Sequence, residues 1–79
     1  MKYVYILRSI KWPERRYFGI TSDLKTRLKH HNDGCSRYTK RYRPWKLDTY
    51  IGFSDEERAT EFERYLKTGS GKAFSKKRL

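Results

Sequence analysis

Residues 3–21 read YVYILRSIKWPERRYFGIT, two aromatic tripeptides separated by residues 6–16. Val4 and Ile6 alternate with Tyr3, Tyr5 and Leu7, the pattern of a strand with two usable faces. Residues 9–15 carry Pro13 and several charges and read as a hairpin loop. Arg16 to Thr21 reads as the returning strand, with Tyr17 and Gly19 on one face and Phe18 and Ile20 on the other. In an antiparallel hairpin Tyr5 and Tyr17 share a side of the sheet and converge. The chain has seven tyrosines, so stacking and packing stay open as roles for this pair.

Downstream, Thr21 or Ser22 caps a helix and Asp23 suits its first turn. Leu24 and Leu28 form the apolar stripe, and the helix ends near Asn32, Asp33 and Gly34. The basic segment 35–44 reads as a loop closed by Pro44. Trp45, Leu47, Thr49 and Ile51 alternate with polar or aromatic residues, so 45–53 is a third strand. Ser54 followed by Glu57 has the spacing of a capping box. Ala59, Phe62 and Leu66 mark the buried stripe of a second helix stopped by Gly69, and 73–79 reads as a short basic terminal helix. The order is ββαβαα. It describes an α+β fold, a small three-stranded antiparallel sheet flanked by helices, in one domain over residues 1–79.

Composition narrows the partners. Twenty Lys and Arg against nine Asp and Glu leave a net charge of +11. On so short a chain that excess points to a polyanion, most often nucleic acid. Solubility alone does not require so one-sided a balance. Residues 37–46 and 67–79 hold basic groups and no acid, whereas Asp55, Glu56, Glu57, Glu61 and Glu63 cluster together. The single Cys35 excludes an internal disulfide and a multi-cysteine zinc site. No apolar run reaches the roughly 18–20 residues of a membrane span. The stretch Tyr3 to Leu7 is too short for a signal peptide, so the chain reads as cytoplasmic.

Three polar residues stand out against the packing pattern. Arg27 and His31 are four apart and fall beside the Leu24/Leu28 stripe. An arginine there binds an anion, snorkels or forms an internal salt bridge. His31 is structural, exposed or catalytic. Glu63 lies four residues after Ala59 and three before Leu66, between packing positions. A carboxylate there needs an internal partner or a metal.

In order, Tyr3-Val4-Tyr5, Tyr17-Phe18-Gly19, Arg27, His31 and Glu63 resemble the GIY-YIG nuclease superfamily, and the segment from Tyr17 to Leu28 is the most specific part. The ending from Tyr65 to Gly71 is similar to the small, single-domain bacterial branch. The resemblance implies a three-stranded antiparallel sheet with flanking helices and a metal-dependent DNA endonuclease acting in repair or recombination. Tyr5 and Tyr17 would be its paired active-site tyrosines, Arg27 would contact the scissile phosphate, and His31 would fill a position held by His or Tyr. Glu63 would be the sole protein ligand of Mg²⁺ or Mn²⁺. The chain departs from the pattern at Tyr3, in place of glycine, and at Phe18, in place of isoleucine. Ile20 stands where some relatives carry a lysine, and no asparagine matches the one that some carry after the metal-binding Glu.

One carboxylate suits Mg²⁺, which keeps most of its waters and binds phosphate oxygen. Arg27 offers a planar fork to the non-bridging oxygens. A tyrosine is a poor base at its reference pKa of about 10. Nearby Arg27, the cation and a hydrogen bond would favour the phenolate of Tyr5 or Tyr17, with His31 relaying the proton. Arg37, Tyr38, Lys40, Arg41 and Arg43, with Tyr42 and Trp45 between and after them, suit backbone contacts and base stacking. Lys67 and Lys72 extend that basic surface, and Gly69-Ser70-Gly71 either stops a helix or touches phosphate. Two other classes fit the same residues: a non-catalytic nucleic-acid-binding module, and a nuclease subunit active only with a partner protein.

Overall fold

The computed structural model describes residues 1–79. Strands β1 (Lys2–Ser9), β2 (Arg16–Thr21) and β3 (Trp45–Phe53) form one sheet in the order β2-β1-β3. Both pairings are antiparallel. The helices are α1 (Leu24–Asn32), α2 (Arg37–Arg41), α3 (Glu56–Leu66) and α4 (Gly69–Arg78). The α+β fold with a three-stranded antiparallel sheet is as the sequence predicts. The order, however, is ββααβαα.

The central strand explains the core. Val4, Tyr5, Ile6 and Leu7 are all buried, because β1 is covered on both faces. Val4 packs with Ala59 and Leu66 of α3, joined by Phe18, Ile20 and Phe62. Tyr5 and Leu7 pack with Trp45 on the opposite face, joined by Tyr17, Leu24 and Leu28. Each buried aliphatic side chain contributes about 1.5–3 kcal/mol, which lets so short a chain hold two small clusters.

The regular alternation of β3 hides a bulge. Leu47 pairs with Leu7, but Thr49 pairs with Ile6, so Asp48 is an extra residue opposite β1. The side-chain period is two, so one extra residue moves the following side chains to the other face. Trp45 and Leu47 therefore serve the Tyr5 face, and Phe53 the Val4 face.

Four local expectations change. Segment 35–44 is not a plain loop: Arg37–Arg41 forms one short helix. Its only buried residue is Thr39, which is anchored to α1 and to Trp45, so tertiary contacts hold a turn that a five-residue peptide could not keep. Helix α1 is capped by Asp23 itself, whose carboxylate accepts from Thr26 N–H, and Thr21 instead accepts from Asp23 N–H. Asp55, not Ser54, caps α3, accepting from Glu57 and Arg58 N–H. Gly69 does not stop α3. That helix ends at Leu66, Thr68 caps the next one, and Gly69-Ser70-Gly71 is the first turn of α4. A Cβ on Gly71 would stand 1.7 Å from the Tyr65 carbonyl oxygen, so glycine lets α4 begin directly against the end of α3.

Candidate active site

The site begins with a steric fact. Tyr5 and Gly19 are register partners on β1 and β2. A Cβ on Gly19 would lie 2.3 Å from the Tyr5 hydroxyl oxygen and 2.4 Å from Cζ. The absence of a side chain lets the Tyr5 ring cross the β2 backbone toward the sheet edge. Tyr17, paired with Leu7, lies diagonally from Tyr5 on the same face, with ring centroids 6.4 Å apart.

Helix α1 brings His31 to the end of that ring. The Tyr5 hydroxyl is 3.0 Å from His31 Nε2, and the Tyr17 ring is 4.7 Å from the imidazole. His31 Nδ1 is 3.0 Å from Thr39 Oγ1. The Thr39 hydroxyl donates to the Ser36 carbonyl at 3.4 Å, leaving its oxygen to accept from Nδ1–H. Nε2 of the neutral ring then accepts the Tyr5 proton. Next in the chain, Asn32 accepts from Trp45 N–H at 2.6 Å and donates to the Trp45 carbonyl at 3.1 Å. That double bond clamps the end of α1 to the start of β3 beside His31.

Burial dominates the electrostatics. It pushes the Tyr5 phenol above its ordinary 10.0, and Tyr17 and Glu63 add to the rise. Arg27 sits beside the hydroxyl and opposes the shift without cancelling it. Burial also pushes His31 below its ordinary 6.5, with Arg27 and His30 adding to it. The folded site thus holds a protonated phenol against a neutral imidazole. The expectation that neighbours draw the tyrosine toward phenolate is reversed at Tyr5.

Arg27 is half-buried and pairs with no carboxylate. Its charge faces the Tyr5 hydroxyl. Glu63 reaches the same centre from α3, near enough to act on Tyr5. Its side chain is 12% exposed, and its carboxylate pairs with Lys67 at 2.5 Å. No group of three or more His, Cys, Asp or Glu is assembled anywhere. One carboxylate near an arginine that no acid neutralises fits a cation of the Mg²⁺ type, which takes one or two carboxylates plus water and phosphate oxygens, and does not fit a zinc centre.

With that geometry in place, the chain's likenesses can be read. Residues 1–78 match the GIY-YIG catalytic domain. The chain belongs to the GIY-YIG family. It resembles the UPF0213 protein CPE1444 of Clostridium perfringens, with 40% identity over 68 residues, 85% of this chain and 71% of that protein. The UPF0213 protein YazA of Bacillus subtilis is 44% identical over 52 residues, 65% of this chain and 52% of that protein. These similarities place the chain in the small bacterial branch. The structure-specific endonuclease subunit SLX1 of Candida dubliniensis is 41% identical over 71 residues. That match covers 81% of this chain but 25% of SLX1.

In this GIY-YIG domain Tyr5, Tyr17, Arg27, His31 and Glu63 converge. The basic residues are more scattered. Arg37, Lys40, Arg41 and Arg43 are exposed on α2 and the turn after it. Tyr38 stacks between Tyr17 and Trp45, with centroids 6.2 and 6.1 Å away. Trp45 is 2% exposed and donates Nε1–H to the Thr39 carbonyl, so it is a core residue and not a base-stacking platform. Lys72 lines a cleft beside β2, and Lys67 sits on Glu63.

Thr39, Asn32 and Arg16 escaped the sequence reading. Thr39 does carry a faint signal, as a short uncharged residue within a cationic run. Asn32 looked only like part of a helix stop. Arg16 was one arginine among many.

Proposed function

We propose that this protein is a divalent-metal-dependent endonuclease that hydrolyses DNA phosphodiester bonds in repair or recombination. The reading rests on one observation above all: the buried Tyr5–His31–Thr39 hydrogen-bond chain, with Arg27, free of any carboxylate partner, beside the Tyr5 hydroxyl. A packing role alone requires neither a proton acceptor on the phenol nor an uncompensated guanidinium.

Tyr5 gives its hydroxyl proton to His31 Nε2 as its oxygen takes a proton from the attacking water. This route makes the raised phenol pKa tolerable, because the proton passes to a neutral ring and not to solvent. Thr39 holds Nδ1–H and so keeps Nε2 free to accept. Tyr17 packs against the imidazole and closes that wall. Arg27 orients the scissile phosphate through its non-bridging oxygens and stabilises charge developing there. Glu63 would hold Mg²⁺ or Mn²⁺, which when bound supplies Lewis-acid stabilisation of phosphate and leaving oxygen. No helix is long and apolar enough to cross a membrane.

Labelled duplex, branched and single-stranded DNA, incubated with Mg²⁺, Mn²⁺ or EDTA, tests the reading. Metal-dependent cleavage lost in Glu63→Gln and Arg27→Ala supports it. Salt-sensitive binding without cutting on any substrate supports a non-catalytic binding module instead. A second reading, a subunit that cuts only with a partner protein, draws support from relatives named as endonuclease subunits. It predicts DNA binding and Mn²⁺ binding by the isolated chain without turnover.

A further inference from the structure

Arg16 is half-buried, and its Nε and Nη2 are the buried side-chain polar atoms that make no hydrogen bond. Those two N–H groups lie on the same edge of the guanidinium and run parallel. They form the fork that engages two oxygens of one phosphate. Nη1, on the other edge, donates to Ser75 Oγ at 3.4 Å, and the Ser75 hydroxyl donates to the Lys72 carbonyl. No carboxylate pairs with Arg16. Asp48, the acid acting on it, is already held by Arg8 at 3.4 Å.

Arg16 lines a cleft of about 490 Å³ between the β1–β2 hairpin and α4. Arg8, Arg15, Lys72 and Lys76 also line it, against one acid, Glu14. The guanidinium carbon lies 5.3 Å from the centre of the Phe18 ring, which gives its flat face a floor. A shallower groove shares Arg16, Phe18, Tyr38 and Lys72 with this cleft and runs to Tyr17 and Lys67. β2 is an edge strand, and the neighbours Arg16 and Tyr17 point to opposite faces of it. A strand crossing that edge meets the Tyr17 wall and then the Arg16 cleft.

We propose that this cleft is a second phosphate subsite, which takes a backbone phosphate on the same nucleic-acid strand that Arg27 engages. The identity of the strand rests on the nuclease reading; the anion preference rests on the cleft itself. Arg16 supplies the bidentate contact. Lys72 and Lys76, exposed and without salt-bridge partners, close over the phosphate from α4. The subsite would set where the strand leaves the active site.

The test is binding of a short fluorescent DNA duplex in EDTA, by anisotropy, across a series of KCl concentrations. Arg16→Gln is expected to weaken binding about tenfold at low salt and to reduce the slope of log K against log salt by about 1. Arg64→Gln removes the same charge from exposed α3 outside the cleft and should leave that slope unchanged. Equal effects of the two variants overturn the subsite in favour of diffuse basic surface. Lys76→Glu places a carboxylate in the cleft from an exposed position and should weaken binding like Arg16→Gln. It decides alone if circular dichroism shows Arg16→Gln unfolded. Unaltered affinity in a folded variant overturns the proposal, and so does failure of the wild-type chain to bind the duplex. Because binding is measured without metal, a failed nuclease reading would show separately, in the cleavage assay with Mg²⁺ or Mn²⁺, as a wild-type chain that binds through the cleft and never cuts.

Discussion

The Tyr5 hydroxyl donates to His31 Nε2 across 3.0 Å, and both residues are almost wholly enclosed. Enclosure raises the phenol pKa and lowers the imidazole pKa, so each group keeps the protonation state that the bond requires. The pair is therefore stable at rest, with the proton on Tyr5 and Nε2 free to accept it. That couples a packing feature, the Tyr5 ring in the core, to a chemical one.

Tyr5→Phe keeps the ring and deletes the proton. Cleavage in single-turnover assays should fall by roughly 10²–10⁴, the range of lost acid–base catalysis. Urea unfolding should show a loss of about 1–2 kcal/mol, because Nε2 is left buried without a partner. Full activity would refute the relay.

His31 is held below its ordinary 6.5, which sets the sign of a pH effect. The fold favours the neutral ring, so its contribution to stability is present above the ordinary value. That contribution is lost as pH falls through the lower folded value. Activity should fall over the same window, because a protonated ring cannot accept from Tyr5. His31→Gln should flatten the stability profile there, measured by urea midpoints on both sides of the transition.

Gly19→Ala puts a methyl group where the Tyr5 hydroxyl and Cζ now lie. The ring must leave its path across β2 and surrender the bond to His31. A destabilisation of about 1–3 kcal/mol is expected from overpacking. Activity should fall more than this modest loss of stability explains, with kcat affected more than DNA affinity.

Thr39→Val removes the oxygen that accepts from His31 Nδ1–H. The imidazole can then adopt the other tautomer, in which Nε2–H faces Tyr5. The loss of one buried hydrogen bond, about 1 kcal/mol, corresponds to roughly fivefold in rate. Nitrogen-15 shifts of the imidazole should report the change of tautomer directly. An unchanged spectrum would assign Thr39 a purely packing role.

Lys67 occupies the Glu63 carboxylate that a cation would use. Its side chain is 56% exposed, so the ion pair contributes less than about 1 kcal/mol. Lys67→Met should leave stability nearly unchanged and tighten Mn²⁺ binding by up to about fivefold. Calorimetry on the chain without DNA measures this. Weaker binding would mean that Lys67 supports the metal site and does not compete with it.

The sequence by itself determined the three strands, their hairpin and the five residues that meet at the site. Period-two alternation, turn residues and spaced apolar stripes are local signals, and they are written residue by residue. Only the tertiary structure decided the rest. The bulge at Asp48 left the alternation of β3 intact, so nothing local announced that its faces exchange. The α2 helix exists because Thr39 is anchored by His31 and Trp45, contacts from outside its own segment. The direction of the Tyr5–His31 proton depends on a threonine eight residues beyond His31, brought in by folding. Burial likewise reversed the pKa shift expected of Tyr5, because desolvation depends on what covers a residue and not on its neighbours in the chain.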